Sequence, residues 1–388
     1  MGSVYFTGLS ALDGYSNAIN TVANNLANLQ TTGFKSSSSD FSDLVAQMMD
    51  VGSPTTGVGI TDPATVMQFL QGDIQNSQSS LDAAISGNGF FVTDSSGGQT
   101  LFTRDGSFSV GTNTAGDPIL MSSTGNAVEG YAANANGTFS TTLGNIALPT
   151  ERAATATTAI TFTGNLDSST TPAGQATFPV TVYDSSGNQH TVSLTFTKEA
   201  GTNDWTLHTV VDGAATGSGV PLQFDSNGQL TNPPATVPIT VGTQTLNLSL
   251  ATISQFDSPS TAAQISQNGM PIAAVTGYSI GTDGIVSAET TDGGSFSVAE
   301  LGLATIQNPQ TMTEIGGGDF TIGANTMPVV LGSAPALGDQ VIGNALENST
   351  SNVSTDFGNL MNYQRGYEMN SKAISTQDQM EQDLMNLV

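Results

Sequence analysis

The chain has 388 residues, of which 32 are acidic and only 6 are basic, so its formal net charge is −26. Its length and apolar content are ordinary for a folded protein and allow two to four domains. So few basic residues cannot form the basic stripe that binding to phosphate backbones needs, so we expect neither nucleic acid nor an anionic membrane surface among the partners. Cysteine is absent, which excludes disulfides, thiolate metal sites and a cysteine nucleophile.

The N-terminal segment has the pattern of an amphipathic helix. Gly33 follows the pattern and ends it. The first residues have no basic start and no apolar core run, so no cleaved signal peptide is expected, and no apolar stretch is long enough to cross a bilayer. The apolar positions alternate between steps of four and three and form one stripe: Tyr5, Leu9, Leu12, Ser16, Ile19, Ala23 and Leu26. A shorter apolar pattern, typical of one or two further helical turns, comprises Phe41, Leu44, Val45 and Met48.

Short β-prone runs separated by turn residues dominate the middle of the chain. Val180 to Tyr183 and Val192 to Phe196 alternate strictly around the turn Asp184 to Asn188, which predicts a β-hairpin. Further turns are predicted at Asn227-Gly228 and at Asn232-Pro233-Pro234. The pattern indicates an outer β domain nested within an inner one, with both inserted between the ends of the chain.

The C-terminal segment has a heptad repeat, followed by a phase shift to Met380, Leu384 and Leu387. A helix of about 27 residues is on the order of 40 Å long, too long for the edge of a globule to cover. Isolated helices of this composition are marginal in water, so we expect both ends to be poorly ordered in the free subunit and to fold on assembly. The heptad positions are Leu346, Val353, Leu360, Tyr367 and Ile374, and Phe357 belongs to the second row.

The predicted fold class is α+β, mainly β, with long N- and C-terminal helices forming a coiled-coil-like stalk and nested antiparallel β domains inserted between them. Two arrangements of the helices stay open, because they either pair within one chain or bury their stripes against other copies. The predicted parts are a helical polymerisation domain (1–30 and 346–388), a connecting segment (31–71 and 335–345), an inner β domain (72–148 and 267–334) and an outer β domain (149–266).

No constellation for catalysis is recognisable. His190 and His208 lie in strand-like runs, which favours structural roles, and no phosphate-binding loop or dinucleotide fingerprint is present. Turns such as Asp184 to Asn188 could hold Ca²⁺, but Asx-type hydrogen bonds explain them without an ion, and we favour that interpretation. Arg104 is expected to pair with a carboxylate or backbone carbonyls near Asp105, or with another subunit. We predict neither an enzyme nor a cofactor or metal site.

Two motifs lie at opposite ends of the chain. The first is Asn24-Asn25-Leu26-Ala27-Asn28, followed by Thr32-Gly33-Phe34-Lys35, and the second is Gln364-Arg365-Gly366-Tyr367-Glu368-Met369-Asn370. The first resembles the N-terminal signature and the second the C-terminal signature of the bacterial flagellar rod and hook proteins. Gly366 departs from the family, which more often has a helix-favouring residue there, and predicts a bend or a tight helix crossing. The length and the inserted β domain resemble the hook members rather than the shorter rod members.

The resemblance implies a structural subunit that assembles into a curved, flexible, extracellular tube, which transmits torque from rod to filament. It implies a homo-oligomer of many copies, contacts with rod, hook cap and hook-filament junction proteins, and export by the flagellar type III apparatus. The alternatives are a distal rod protein and, remotely, a secreted β-rich adhesin. The predicted assembly residues are Leu9, Leu12, Ile19, Leu26, Val353, Phe357, Leu360, Tyr367, Ile374 and Leu384. The family-motif residues are Asn24, Asn25, Asn28, Gly33, Phe34, Gln364, Arg365 and Asn370.

Overall fold

A computed structural model of the protein describes residues 2–41, 43–45, 57–60, 64–134, 136–201, 203–232, 236–323 and 329–387. The chain forms two compact units. The first unit comprises residues 1–149, 277–289 and 295–388, and the second comprises residues 150–276 and 290–294. In the described residues, no helix is both long enough and apolar enough to cross a membrane. Met48, Pro233 and Pro234 lie outside the described residues.

Strands dominate between two long terminal helices, as predicted. The helices are α1 (Gly2–Ala27), the short α2 (Ala334–Leu337) and α3 (Val353–Leu387), with a 3-10 turn at Pro309–Thr311. The strands are β1 (Ser37–Asp40), β2 (Asp43–Val45), β3 (Gly57–Ile60), β4 (Ala64–Met67), β5 (Ile74–Asn76), β6 (Ala83–Ser86), β7 (Phe90–Asp94), β8 (Thr100–Thr103), β9 (Ser109–Thr112), β10 (Pro118–Met121), β11 (Ala127–Ala133), β12 (Phe139–Asn145), β13 (Glu151–Arg152), β14 (Ala159–Asp167), β15 (Gln175–Tyr183), β16 (Gln189–Lys198), β17 (Asp204–Val211), β18 (Ala214–Gln223), β19 (Val237–Val241), β20 (Gln244–Phe256), β21 (Thr261–Gln267), β22 (Ala273–Ile280), β23 (Ile285–Thr290), β24 (Ser295–Leu301), β25 (Leu303–Ile306), β26 (Met312–Gly316), β27 (Asp319–Ile322), β28 (Val329–Gly332), β29 (Gln340–Gly343) and β30 (Ala345–Glu347).

The first unit is built on an antiparallel sheet in which β23, β24, β11, β7, β8, β27 and β26 follow one another. Phe91, Leu120 and Val128 are fully buried in its main core. Two short ladders, β5 with β30 and β6 with β29, join the chain before this sheet to the chain just before α3. These two ladders therefore hold the segment that leads into α3 in place.

The second unit contains two four-stranded sheets, in the orders β19-β20-β14-β21 and β15-β16-β17-β18. Their inner faces share one core around Trp205, Phe162 and Phe196, which are fully buried. The predicted hairpin is confirmed, since Val180 pairs with Val192 and Val182 with His190. The purely antiparallel prediction is wrong for one pair, because β14 and β20 run parallel. The whole β15–β18 sheet separates these two strands in the chain, which leaves enough chain for a parallel connection.

Two helical predictions fail at the edges of the helices. The pattern from Phe41 to Met48 contains strand residues where it is described, because Leu44 and Val45 belong to β2, which pairs with β3. Leu346 belongs to β30, whose ladder with β5 holds it in an extended conformation. Helix α3 begins only at Val353, after Asn352. The side-chain oxygen of Asn352 accepts the N–H groups of Ser354 and Thr355 at 3.0 and 3.2 Å, which is N-cap geometry.

Candidate assembly surface

Helices α1 and α3 pack against each other, and residues without large side chains lie at their closest approach. A Cβ atom on Gly8 would lie 2.9 Å from Ile374, and one on Gly366 would lie 2.5 Å from the ring of Tyr15. Gly8, near the start of α1, faces Ile374, whereas Tyr15, further along α1, faces Gly366, which comes earlier in α3. The two helices are therefore antiparallel. Gly366 therefore serves a tight helix crossing, one of the two outcomes predicted from its sequence.

The face of α1 that is buried within the chain is not the predicted stripe. The buried residues are Gly8, Gly14, Ala18, Val22 and Asn25. Small side chains dominate this face because they allow the neighbouring backbone to approach closely. The larger side chains of the predicted stripe are left outside: Leu9 is 52% exposed, and Leu12, Ile19 and Leu26 are half-buried.

The predicted stripe of α3 is also largely open to solvent. Val353, Phe357, Tyr367 and Leu384 are between 41% and 53% exposed. Leu360 and Ile374 are half-buried, and Ile374 lies against Gly8 of α1. Every side chain described from residue 378 to residue 386 is exposed. The helices thus pair within the chain, yet five of the ten side chains predicted for assembly stay exposed and the other five are only half-buried.

A surface groove of about 630 Å³ lies between the N-terminal half of α1 and the middle of α3. We call it the helix groove. It is lined by Phe6, Leu9, Leu12, Asp13, Ser16 and Tyr367. Phe6 and Leu9 are each just over half exposed, so two large apolar side chains and one carboxylate are presented together. Such an apolar surface is typical of a protein-protein contact.

The N-terminal family motif fixes the exit of the chain from α1. The side-chain amide of Asn25 donates to the carbonyl of Ser37 at 2.8 Å and accepts the N–H of Ser37 at 2.9 Å. Gly33 has φ of +68°, and a Cβ there would lie 2.6 Å from the backbone of Arg104. The conformation and the crowding both require glycine. Phe34 is buried, with only 6% of its surface exposed.

Lys35, Arg104 and Glu347 form a buried ion cluster at the base of both helices. The ammonium of Lys35 lies 2.7 Å from one carboxylate oxygen of Glu347, and the guanidinium of Arg104 lies 3.3 Å from the other. Arg104 also donates to the carbonyl of Gly87 at 2.8 Å and stacks on the ring of Phe90. Burial lowers the pKa of Lys35 and of Arg104, and the Glu347 carboxylate opposes that shift in both.

The cluster joins three distant parts of the chain. The N–H of Gly72 donates to the Glu347 carboxylate at 2.6 Å, and the N–H of Gly33 donates to the backbone carbonyl of Glu347 at 2.8 Å. Arg104 therefore pairs within the first unit, but with Glu347 rather than with a group next to Asp105. Glu347 was not singled out from the sequence. Lys35 was named only as the last residue of the N-terminal motif, with no pairing predicted for it.

The remaining family-motif residues lie on the two helices. The Asn28 side chain donates to the carbonyl of Asn24 at 2.9 Å, which closes the end of α1. Asn370 donates to the carbonyl of Gly366 at 2.8 Å, within the tight crossing. Gln364 and Arg365 are exposed.

The second unit has one histidine between two carboxylates. His190 Nδ1 lies 2.6 Å from Asp212, and Nε2 lies 3.6 Å from Asp184. The Asp184 side chain also accepts the N–H groups of Ser186 and Asn188, as an Asx turn does. Across the described residues, no group of three or more His, Asp or Glu side chains is arranged to hold a metal ion.

Four family models match successive parts of the chain. They are described as flagella basal body rod protein (residues 7–35), flagellar hook protein FlgE/F/G D1 domain (84–167), flagellar basal body protein FlaE D2 domain (150–270) and flagellar basal body rod FlgEFG protein C-terminal (342–387). The matches include both terminal helices and both units. Together they define the class of protein as a structural component of the flagellar rod and hook.

Individual relatives show which member of this class the chain resembles. Flagellar hook protein FlgE of Brucella suis biovar 1 is 32% identical, and that of Rhizobium meliloti is 31% identical; each alignment covers 98% of this chain and 98% of the relative. The crystal structure of Helicobacter pylori flagellar hook protein FlgE2 aligns with a TM-score of 0.48 at 12% identity, over 72% of this chain and 99% of that chain. The chain belongs to the flagellar hook protein family and is a structural subunit of the bacterial flagellum. The distal-rod alternative is not favoured, because these relatives are hook proteins along almost their whole length.

Proposed function

We propose that copies of this chain assemble through α1 and α3 into the tube of the flagellar hook, a curved and flexible polymer that transmits torque from the rod to the filament. In this role the subunit acts outside the cell, contacts the rod, hook cap and hook-filament junction proteins, and has no enzymatic activity. Segments 1–30 and 346–388 serve as the polymerisation domain, with 31–71 and 335–345 as the connection to the β domains.

One observation carries this proposal. More than half of the large apolar side chains that the described structure leaves exposed lie on α1 and α3, although these helices are a small part of the chain. Each large apolar side chain gains about 1.5–3 kcal/mol when it is fully buried. Exposed apolar surface concentrated on two paired helices is therefore a strong driving force for association through those helices.

Electron microscopy of the concentrated, purified full-length protein tests the proposal. We expect tubes, with a critical concentration that Leu9→Ser raises roughly fivefold, since losing half of a leucine burial costs about 1 kcal/mol. Ile315→Ser is the matched control, because Ile315 is 53% exposed, like Leu9 at 52%, but lies in β26. A wild-type chain that stays monomeric, or equal effects of the two substitutions, would contradict assembly through the helices.

Export through the type III apparatus without cleavage is the second part of the proposal. It rests on membership of the flagellar hook protein family, together with the export route that the resemblance of the terminal motifs implies. Mass spectrometry of subunits recovered from isolated hooks should find the segment that forms α1 intact. Loss of a leading segment from those subunits would contradict export without cleavage.

A further inference from the structure

Three consecutive glycines lead into a buried aspartate in the first unit. Gly316, Gly317 and Gly318, which we call the glycine loop, have φ of +106°, +69° and +79°, a region that favours glycine. A Cβ on Gly317 would lie 2.6 Å from the side chain of Thr124, so the loop packs closely on the turn between β10 and β11. Asp319 follows as the first residue of β27 and is only 3% exposed. A carboxylate is therefore buried where the glycine loop meets this turn.

The protein satisfies only one oxygen of the Asp319 carboxylate. Oδ2 accepts the hydroxyl of Thr124 at 2.8 Å and the side-chain amide of Asn126 at 2.9 Å. Oδ1 is buried and has no hydrogen-bond partner. The hydroxyl of Thr103, which pairs with Asp319 between β8 and β27, donates its proton to the carbonyl of Gly318 at 2.9 Å instead. An unpaired buried carboxylate oxygen is costly, so Oδ1 requires a cation or a proton.

A second carboxylate lies at the same turn. The hydroxyl of Ser123, next to Thr124, donates to Asp105 at 2.5 Å. The N–H of Asp105 donates to the hydroxyl of Thr103 at 3.1 Å. Burial and the charge of Asp105 raise the pKa of Asp319, so the two carboxylates are close enough to repel each other. Within the described part of the chain, neither of them has an ion pair with a basic side chain.

The oxygen atoms gathered here are the ligands that a hard cation prefers. Besides the carboxylates of Asp105 and Asp319, the carbonyl of Gly318 and the hydroxyl of Thr103 lie at the site. Ca²⁺ takes about six to eight oxygen ligands in a flexible geometry, with water often among them, whereas Mg²⁺ demands a near-ideal octahedron and gives up its water reluctantly. Asp105 is half-buried and Ser123 is exposed, so an ion can enter from the solvent.

We propose that Asp319 and Asp105 bind one Ca²⁺ ion, which joins the glycine loop to the turn between β10 and β11. The ion neutralises both carboxylates and gives Oδ1 of Asp319 its partner, so it stabilises the first unit. The site lies within one unit and does not depend on assembly. With two carboxylates, we expect the weak affinity of extracellular calcium modules, with a dissociation constant of about 0.1–1 mM.

Thermal unfolding of the dilute full-length protein, with and without about 10 mM Ca²⁺, tests the site. The midpoint of the helix signal in circular dichroism should rise by at least about 3 °C with Ca²⁺. The midpoint of Trp205 fluorescence, which reports on the second unit, should stay in place. Mg²⁺ at the same concentration is the matched control for general screening of the −26 charge, and it should shift the helix midpoint less than half as much.

Two substitutions locate the ion. Asp319→Asn should abolish the response of the helix midpoint to Ca²⁺, whatever it does to the midpoint without Ca²⁺. Glu314→Gln removes the same charge from an exposed position of the neighbouring strand β26 and should keep the full response. Isothermal titration of the wild type with Ca²⁺, which does not depend on a variant that folds, should find one site per chain.

Three results would overturn the proposal. Equal shifts with Ca²⁺ and Mg²⁺, or equal shifts of both units, would mean that Ca²⁺ only screens the acidic surface. A full response in Asp319→Asn would place the ion elsewhere. A wild type whose helix midpoint ignores Ca²⁺ but rises as the pH falls would show that Asp319 holds a proton instead. None of these results bears on tube formation, so failure of this site is distinguishable from failure of the proposed function.

Discussion

The carboxylate of Glu347 lies 2.7 Å from the ammonium of Lys35, although 312 residues separate them in the chain, and both side chains are fully buried. Arg104 shares the same carboxylate. Removing one partner of a buried ion pair leaves an uncompensated charge and typically costs about 3–5 kcal/mol. Glu347→Gln removes the carboxylate that these two buried cations share, so we expect it to lower the free energy of unfolding of the first unit by about that amount.

Urea unfolding can follow the two units separately. All three helices belong to the first unit, so far-ultraviolet circular dichroism of the helices reports on it, whereas Trp205, the only tryptophan, reports on the second. Glu347→Gln should shift the unfolding transition of the helix signal to a lower urea concentration and leave the transition of Trp205 fluorescence unchanged. The control is Glu314→Gln, at an exposed position of β26, where we expect a change within about 0.5 kcal/mol. Similar helix transitions for the two variants would contradict a stabilising role for the cluster.

Only the local part of this region could be predicted from the sequence. Asn25, Gly33 and Phe34, which lie beside the ion cluster, fall within one short segment, and a local motif was enough to select them. Glu347 is one of 32 acidic residues and lies 243 residues from Arg104. Only the antiparallel pairing of β5 with β30 brings it into place. No periodicity or spacing encodes a contact over that distance.

For the terminal helices, their existence was predictable from the sequence, but their packing was not. Periodicity is local, so the existence of α1 and α3 was predictable from Leu9, Leu12 and Ile19 and from the heptads of the C-terminus. Which face is buried within the chain was not predictable, because Gly8 and Ala18 carry no hydrophobic signal and are selected by close packing. Leu346 fits the heptad numerically, but its backbone hydrogen bonds belong to a strand.

The tight crossing at Gly366 gives a second prediction. A methyl group there would lie 2.5 Å from the ring of Tyr15, which is itself packed against Phe41 and Tyr363. Gly366→Ala must displace that ring, and overpacking of this kind costs about 1–3 kcal/mol. This outweighs the gain of about 0.8–1 kcal/mol from the higher helix propensity of alanine. We therefore expect Gly366→Ala to lower the stability of the first unit, as measured by the circular dichroism of its helices. Helix propensity alone would instead predict a stiffer C-terminal helix.

Gly358 provides the control for this prediction on the same helix. A Cβ there meets no described atom within 4 Å, so Gly358→Ala should gain about 0.5–1 kcal/mol from helix propensity alone. Thermal unfolding followed by circular dichroism compares the two variants directly. If Gly366→Ala stabilised the protein as much as Gly358→Ala, the crossing would have to be looser than the structure shows.

The contact of His190 with Asp212 predicts a pH dependence of the second unit. The hydrogen bond to Asp212 raises the pKa of His190 above its ordinary value, and it lowers the pKa of Asp212. A raised folded-state pKa stabilises the fold fully below the unfolded value of about 6.5, and this stabilisation is lost as the pH rises through the folded value. The contribution of Asp212 is present above about pH 3.9 and is lost as the pH falls through its lowered folded pKa.

Urea unfolding followed by Trp205 fluorescence over a pH series measures this dependence. We expect the midpoint for the wild type to fall as the pH rises from about 6 through the folded pKa of His190. His190→Asn should remove that slope. His208→Asn, at the other histidine of the chain, should retain it. Identical pH profiles for the wild type and His190→Asn would show that the contact contributes no net stability.

The last turns of α3 give the most direct test of folding on assembly. Every side chain described from residue 378 to residue 386 is exposed, so no burial within the chain compensates the ordering entropy, and short isolated helices are marginal in water. Hydrogen exchange followed by mass spectrometry should therefore find these amides unprotected in the free subunit. The part of α3 around Gly366, which packs on α1, should exchange more slowly.

In assembled tubes the same terminal amides should gain protection, because neighbouring copies would then cover Leu384 and Met385, which are 53% and 79% exposed in the single chain. Slowing by more than about tenfold corresponds to roughly 1.4 kcal/mol of added local stability. The segment around Gly366 serves as the internal reference, since its packing on α1 already exists before assembly. Strong protection of residues 378–386 in a dilute monomer would mean that these turns are stable without neighbours, and would remove the reason for coupling their folding to polymerisation.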